Sequence, residues 1–160
     1  MKKDWNNFFM GIAELYGEQS SCSKIKVGAI IVRNRRIIST GYNGTPSGKQ
    51  HCNQYFYNMW DREFKHVHET FDEFVKSNLF LERHREFSNE NAIHAEQNAI
   101  NFSRQDVSDC DMYVTYSPCL YCAKNILSAG IQRVYYKNIY GNGEGIKFLK
   151  KNGVSTIQLD

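Results

Sequence analysis

The sequence predicts a three-layer α/β/α domain built on a central five-stranded mixed sheet. Three observations predict it. Trp5, Phe8, Phe9, Ile12, Ala13 and Tyr16 recur at helical spacing; Val27 to Val32 is an unbroken apolar run answered, after a short polar turn, by Ile37 to Thr40; and beyond residue 91 helix-like and strand-like stretches alternate. Alternation of this kind favours parallel strands joined by right-handed crossovers, with the first two strands antiparallel at one side. A chain of 160 residues fits one domain, 1–160, and its 41% apolar and 14% aromatic content suits a packed core rather than a disordered chain.

Residues 4 to 18 read as an amphipathic helix that Gly17 helps to end. The run at 27–32 is apolar at consecutive positions, so its strand is expected to be covered on both faces. Gly41 to Gly48 is too rich in glycine for regular structure. It is either a plain surface turn or a loop that brings backbone N–H groups to a ligand, and its place just after a strand favours the ligand.

Residues 49–91 read as an insertion packed on the domain or on another subunit. Trp60, Phe64, Val67, Phe71 and Phe74 follow one another four, three, four and three residues apart, as on one face of a helix. The same spacing suits a base-stacking platform less well, because six basic against eight acidic side chains give the segment a charge of −2. Further on, 91–103 is expected to be the helix carrying His94 and Glu96. Then follow a strand at 111–115, a helix at 119–129 closed by Gly130, a strand at 133–136, a helix at 146–152 and a last strand at 154–159.

A formal charge of +3 offers little to a polynucleotide, and Arg33, Arg35 and Arg36 read as a solvated hairpin tip, phosphate contact being the weaker alternative. Met1-Lys2-Lys3 leads into Asp4, Trp5 and two asparagines, so no leader and no membrane span is expected and the protein is placed in the cytoplasm. Five cysteines, an odd number partly in metal spacing, point to a reducing compartment.

The chemistry concentrates in His94-Ala95-Glu96 and Pro118-Cys119-Leu120-Tyr121-Cys122. Two thiols three residues apart at a helix start reach one metal, and the positive end of that helix favours their thiolate forms. Pro118 suits a helix start because its missing N–H would be unsatisfied there. Cys119, Cys122 and a neutral His94 supply three zinc ligands, one fewer than a closed structural site, which leaves the fourth position for water. Glu96 then serves as the base that takes the water's proton and passes it to the ring nitrogen, and it later delivers a second proton to the departing amino group. A structural zinc knot or two buried cysteines near an unrelated histidine would leave Glu96 without a task. His-x-Glu followed by Pro-Cys-x-x-Cys is the pattern of zinc deaminases.

With these motifs, the Gly41-Tyr42-Asn43-Gly44-x-Pro46-x-Gly48 loop and Lys26-Val27-Gly28-Ala29, the chain from about Cys22 to Gly153 resembles the deoxycytidylate (dCMP) deaminases of the cytidine deaminase superfamily. The zinc motif belongs to the whole superfamily, whereas the glycine loop looks like the nucleotide-specific branch. The resemblance implies a cytidine-deaminase-like fold and hydrolysis of dCMP to dUMP for thymidylate synthesis. It also implies a homohexamer, activated by dCTP and inhibited by dTTP, each as its Mg2+ complex. It places Asn43 at the deoxyribose, Tyr116 and Ser117 near base and sugar, and Lys26, Tyr42, Asn43 and Gly44 at the regulatory triphosphate.

Cys22, Cys52 and His84 match positions that bind a second, structural zinc in some members; otherwise they are two buried thiols and a surface histidine. The family's fourth ligand is a glutamate two residues before the zinc histidine. Here that position is Ala92, and Glu90 would have to substitute through a local rearrangement. Cys110 reads as core and His51, His66 and His68 as solvated. Rival readings are a deaminase of bases in tRNA or single-stranded DNA, a deaminase of free rings, and a zinc-stabilised binding module without activity.

Overall fold

The computed structural model describes residues 4–160; Met1 to Lys3, on which the expectation of no leader partly rests, lie outside the described residues. The chain divides into two compact units, one containing the residues up to Ser20, Val27–Asn43 and His94–Asp160, the other Ser21–Lys26 and Gly44–Ile93.

The first unit carries a sheet of β1 (Gly28–Arg33), β2 (Arg36–Tyr42), β3 (Asp111–Tyr116), β4 (Arg133–Asn138) and β5 (Ser155–Gln158) in the order β2-β1-β3-β4-β5. β1 runs antiparallel to both neighbours, while β3, β4 and β5 are parallel, so the sheet is mixed as expected. Its hairpin β1–β2 turns through Asn34 and Arg35, both at positive φ (51° and 61°), the twist a two-residue hairpin needs. The basic tip has structural partners: Arg33 donates to the carbonyls of Asp106 and Ser108, and the Arg35 guanidinium lies 5.1 Å from the Trp5 ring centre.

Side chains alternate across the strands and meet a different layer on each side. Ile30, Val32, Tyr113 and Tyr135 face α1 (Trp5–Gly17) and bury Phe9, Met10 and Ala13 with them. Asp4 caps that helix by accepting from the N–H groups of Asn6 and Asn7. Ala29, Ile31, Met112, Val114 and Val134 face α5 (Ala95–Phe102), α6 (Leu120–Ser128) and α7 (Glu144–Lys151) through Ala95, Ala99, Ala123, Ile126, Ile146 and Leu149. Ile30 and Ile31 are both fully buried, on opposite faces, each contributing about 1.5–3 kcal/mol by removal from water. Cys110 is likewise in the core.

The second unit consists of α2 (Cys52–Met59), a π-helical turn (Trp60–Phe64), α3 (Phe71–Val75) and α4 (Asn78–Asn91) around Phe56, Trp60, Phe74 and Phe80. The single helical face expected over Trp60, Phe64, Val67, Phe71 and Phe74 is not formed. The chain reverses after Phe64, Trp60 Nε1 donates to the His68 carbonyl at 2.8 Å, and Thr70 with Glu73 makes a capping box that starts a new helix. Val67 is 62% exposed, while the other four pack in the unit's own aromatic cluster. Among the described residues no helix is long and apolar enough to cross a membrane.

Candidate metal centre and active site

The expected helix over 91–103 is interrupted just where the chemistry lies. α4 runs on to Asn91, and Ile93 exchanges two backbone hydrogen bonds with Gly44, at 3.1 and 2.9 Å, which holds the chain extended. His94 is therefore the extended N-cap of α5 and not a helical residue. Its N–H donates to Gln97 Oε1 at 3.1 Å, so Gln97 fixes the backbone that aims the imidazole. The sequence reading missed Gln97, although His-x-x-Gln has the spacing of a capping box.

The two-thiol turn is built the same way. Cys119, not Pro118, is the residue before the first turn of α6, and its Sγ accepts from the Cys122 N–H at 3.5 Å. Pro118 stands just before the cap, as expected of a helix start, and its ring restricts Ser117 before it to extended backbone. Gly145, in the first turn of α7, is a second missed residue. A Cβ there would overlap the Pro118 carbonyl, so only glycine lets α7 lie against this turn. The Gly143-Glu144-Gly145 run was the available signal.

These supports bring His94 Nδ1 to 3.6 Å from Cys119 Sγ and 3.3 Å from Cys122 Sγ. All three donor atoms lie within 4.8 Å of one another. The Cys122 thiol beside it, with His94, lowers the Cys119 pKa to about 4, and the same proximity together with burial pushes Cys122 upward. Cys119 in turn raises His94. One thiolate thus holds the protons of its neighbours, and a soft divalent cation would take their place. Two sulfurs and one imidazole nitrogen at this separation are a zinc donor set, so the residues fit the metal.

Glu96 lies in the first turn of α5, 4% exposed, and stands outside this trio of donors. Burial raises its pKa, with His94 opposing. A carboxyl kept out of water next to a metal-binding group holds a proton more readily than a solvated one, which suits a residue that takes a proton and hands it on.

A family profile, the cytidine and deoxycytidylate deaminase zinc-binding region, matches residues 3–138. The deoxycytidylate deaminase of Enterobacteria phage T2 is 40% identical over 145 residues, covering 81% of this chain and 77% of that protein. The chain belongs to the deoxycytidylate deaminase family. Members of this family are zinc-dependent hydrolases, and this chain is such an enzyme. The deoxycytidylate deaminase of Mycobacterium phage D29 is 32% identical over 136 residues, 84% of this chain and 95% of that one. A dCMP deaminase from cyanophage S-TIM5, solved in complex with dCMP and dUMP, superposes with a TM-score of 0.71 at 33% identity and covers 99% of both chains. The three-layer fold of this deaminase is accordingly the cytidine-deaminase-like one.

The remaining candidate residues lie at strand ends and in the loop that follows β2. Asn43 is half-buried; its Oδ1 accepts from the Val27 N–H at 2.8 Å, and its own N–H donates to the Val27 carbonyl. Tyr116 ends β3, and Ser117, 2% exposed, accepts from the Tyr140 N–H at 2.8 Å. Tyr42 ends β2, with its carbonyl accepting from Asn98 Nδ2. Lys26 is exposed and Gly44 pairs with Ile93.

In the second unit Cys22 Sγ, Cys52 Sγ and His84 Nε2 form another group within 4.8 Å, with 3.2 Å between Cys22 Sγ and His84 Nε2. His84 is buried, which corrects the alternative of a surface histidine. The Cys52 thiol, assisted by His84, lowers Cys22 to about 4. Glu90 lies outside this group: it is exposed and six residues from His84 on the same helix, roughly 120° around the axis.

Proposed function

We propose that this chain hydrolyses dCMP to dUMP and ammonia, with His94, Cys119 and Cys122 as the ligands of the catalytic zinc and Glu96 as the proton carrier. One observation supports this above the rest: a buried carboxylate stands beside a three-donor zinc set without joining it. A purely structural site would use a fourth protein ligand and would have no need of such a carboxylate.

Zinc bound by these three residues supplies the Lewis acidity that makes water nucleophilic near neutral pH. Glu96 accepts a proton from the attacking water and gives it to the ring nitrogen beside the amino carbon. Oxygen adds to that carbon, which becomes tetrahedral. Glu96 then takes the remaining proton of the added hydroxyl and passes it to the amino group; the C–N bond breaks as the C=O bond forms, and ammonia leaves, one water being consumed for each dCMP. The raised pKa of Glu96 serves the first transfer, since burial makes the carboxylate a stronger base than a solvated one, and the protonated form is then the donor. Asn43 is assigned to the deoxyribose and Tyr116 and Ser117 to the base and sugar, positions held by strand ends and by the Val27 and Tyr140 backbone contacts.

From the family resemblance we read the finer properties: a homohexamer, supplying dUMP for thymidylate synthesis, that dCTP activates and dTTP inhibits as Mg2+ complexes, with the glycine loop at 41–48 as the regulatory segment. Lys26, Tyr42, Asn43 and Gly44 are its regulatory candidates. Effectors that prefer different states by ~1–3 kcal/mol change substrate affinity about 5–150-fold. We also read Cys22, Cys52 and His84 as the ligands of a second, structural zinc. Two thiols and an imidazole are the donors such a metal takes.

The test is ammonia release by zinc-loaded protein from dCMP, CMP, deoxycytidine, dCTP, tRNA and single-stranded DNA. We expect dCMP to exceed the others; turnover of tRNA or single-stranded DNA without dCMP activity overturns the assignment. Rates against dCMP with each triphosphate and Mg2+ test regulation, which hyperbolic kinetics indifferent to both would refute.

A further inference from the structure

The group at Cys22, Cys52 and His84 offers a metal three protein donors, and the way it is built says what completes it. His84 stacks on Phe56, ring centres 5.6 Å apart, and lies 5.3 Å from Phe80, so aromatic rings wall the imidazole. Its Nδ1 is 3.4 Å from Ser88 Oγ, one turn along α4, and this engagement leaves Nε2 directed at the sulfur of Cys22. Cys52 opens α2, and Cys22 Sγ also accepts from the Ile25 N–H at 3.5 Å. Each of the three is thus oriented by its own element.

No fourth His, Cys, Asp or Glu donor joins the group among the described residues. Ala92, the cap residue of α4, has only a methyl group. Glu90 points away around the helix. What does stand at the group is the Ser23 hydroxyl: its oxygen is buried, has no nitrogen or oxygen partner, and lies against the Cys52 sulfur. A buried hydroxyl whose only partner is a sulfur, a weak acceptor, keeps hydrogen-bonding capacity for something polar that comes to it. A neutral hydroxyl is a poor zinc ligand beside thiolate and imidazole, but it is a good anchor for a small ligand on the metal.

We propose that the second metal of this chain has three protein ligands and an exchangeable fourth one, a water or small anion held by Ser23 Oγ. This rests on the reading of Cys22, Cys52 and His84 as a zinc site and adds to it. Such a site is open in the manner of catalytic zinc centres while lying in a unit built for stability. It accepts exogenous ligands and releases its metal to chelators faster than a closed four-ligand site.

The experiment uses the full chain carrying Cys119→Ala, loaded with Co2+, so that the ligand-field bands report the second group alone. Azide is added as the probe ligand. We expect the bands to shift with azide, saturably, and to be indifferent to it in the further variant Ser23→Cys, whose thiol closes the site. Ser23→Cys should also slow metal loss to a chelator at least tenfold, whereas Ser23→Ala should speed it. Should Cys119→Ala not fold, the difference spectrum between the unsubstituted chain and Cys52→Ala gives the same readout. Bands unmoved by azide, where the unsubstituted chain holds two metals, overturn the open position and leave the second zinc intact. One metal in the unsubstituted chain, unchanged by Cys52→Ala, overturns the second zinc and this inference with it.

Discussion

His94 Nδ1 and Cys122 Sγ, 28 residues apart in the chain, lie 3.3 Å from each other, each at the start of its own helix. Two helix N-termini therefore converge on one point, and their partial positive charge favours the thiolates that a metal needs there.

Glu96→Gln should retain zinc and lose about 10²–10⁴-fold in dCMP turnover, the scale of one positioned acid-base group. Metal analysis and initial rates on the same preparation decide it. Near-normal turnover would remove Glu96 from the mechanism.

Zinc uptake at the first centre should release protons. Without metal, Cys119 is ionised above about 4, whereas Cys122 is held protonated and His94 is shifted upward. Metal binding displaces the protons on Cys122 and His94, so affinity must rise with pH. The logarithm of affinity should climb with a slope near two where His94 is protonated, falling to near one above that range. Competition with a chelator across pH, in a Cys52→Ala background, measures this; a pH-independent affinity contradicts it.

Gly145 and Gly44 should respond oppositely to alanine. A Cβ at Gly145 meets the Pro118 carbonyl, whereas none of the surrounding atoms comes within 4 Å of one at Gly44. Gly145→Ala should destabilise by about 1–3 kcal/mol and weaken metal retention, because α7 must retreat from the Cys119 turn. Gly44→Ala should hold or gain up to about 1 kcal/mol through the unfolded chain. Thermal unfolding of the two variants tests the contrast.

Alkaline stability should depend on Tyr113. Burial between α1 and the sheet raises its pKa above the ordinary value of 10.0, while its hydroxyl donates to Asn6 Oδ1 at 2.8 Å. The native state thus keeps a proton that the unfolded chain loses as pH passes 10. Stability from this group is whole below that pH and falls above it by about 1.4 kcal/mol per pH unit. Tyr113→Phe should be less stable at neutral pH, for want of the hydrogen bond, yet flatter above pH 10 in denaturant titrations.

Some of this was decided by the sequence alone. A metal ligand is set by element chemistry and short-range spacing, so His94, Glu96, Cys119 and Cys122 could be named from two motifs, and the five strands from apolar runs whose pattern reflects burial on one face or two. Those signals are local. What only the tertiary structure decided depends on partners distant in the chain. The break at His94 exists because Ile93 bonds to Gly44, nearly fifty residues earlier, and no helix propensity near His94 announces it. Trp60 to Phe74 carry a helical spacing, but Trp60 reaches the His68 carbonyl and a capped new helix is more favourable than continuing the old one. Glu90 was a candidate ligand by residue type; the rotation of α4 after His84 turns it to solvent. Ser23 carried no signal at all, since a buried hydroxyl acquires meaning only when Cys52 and His84 are folded against its own segment.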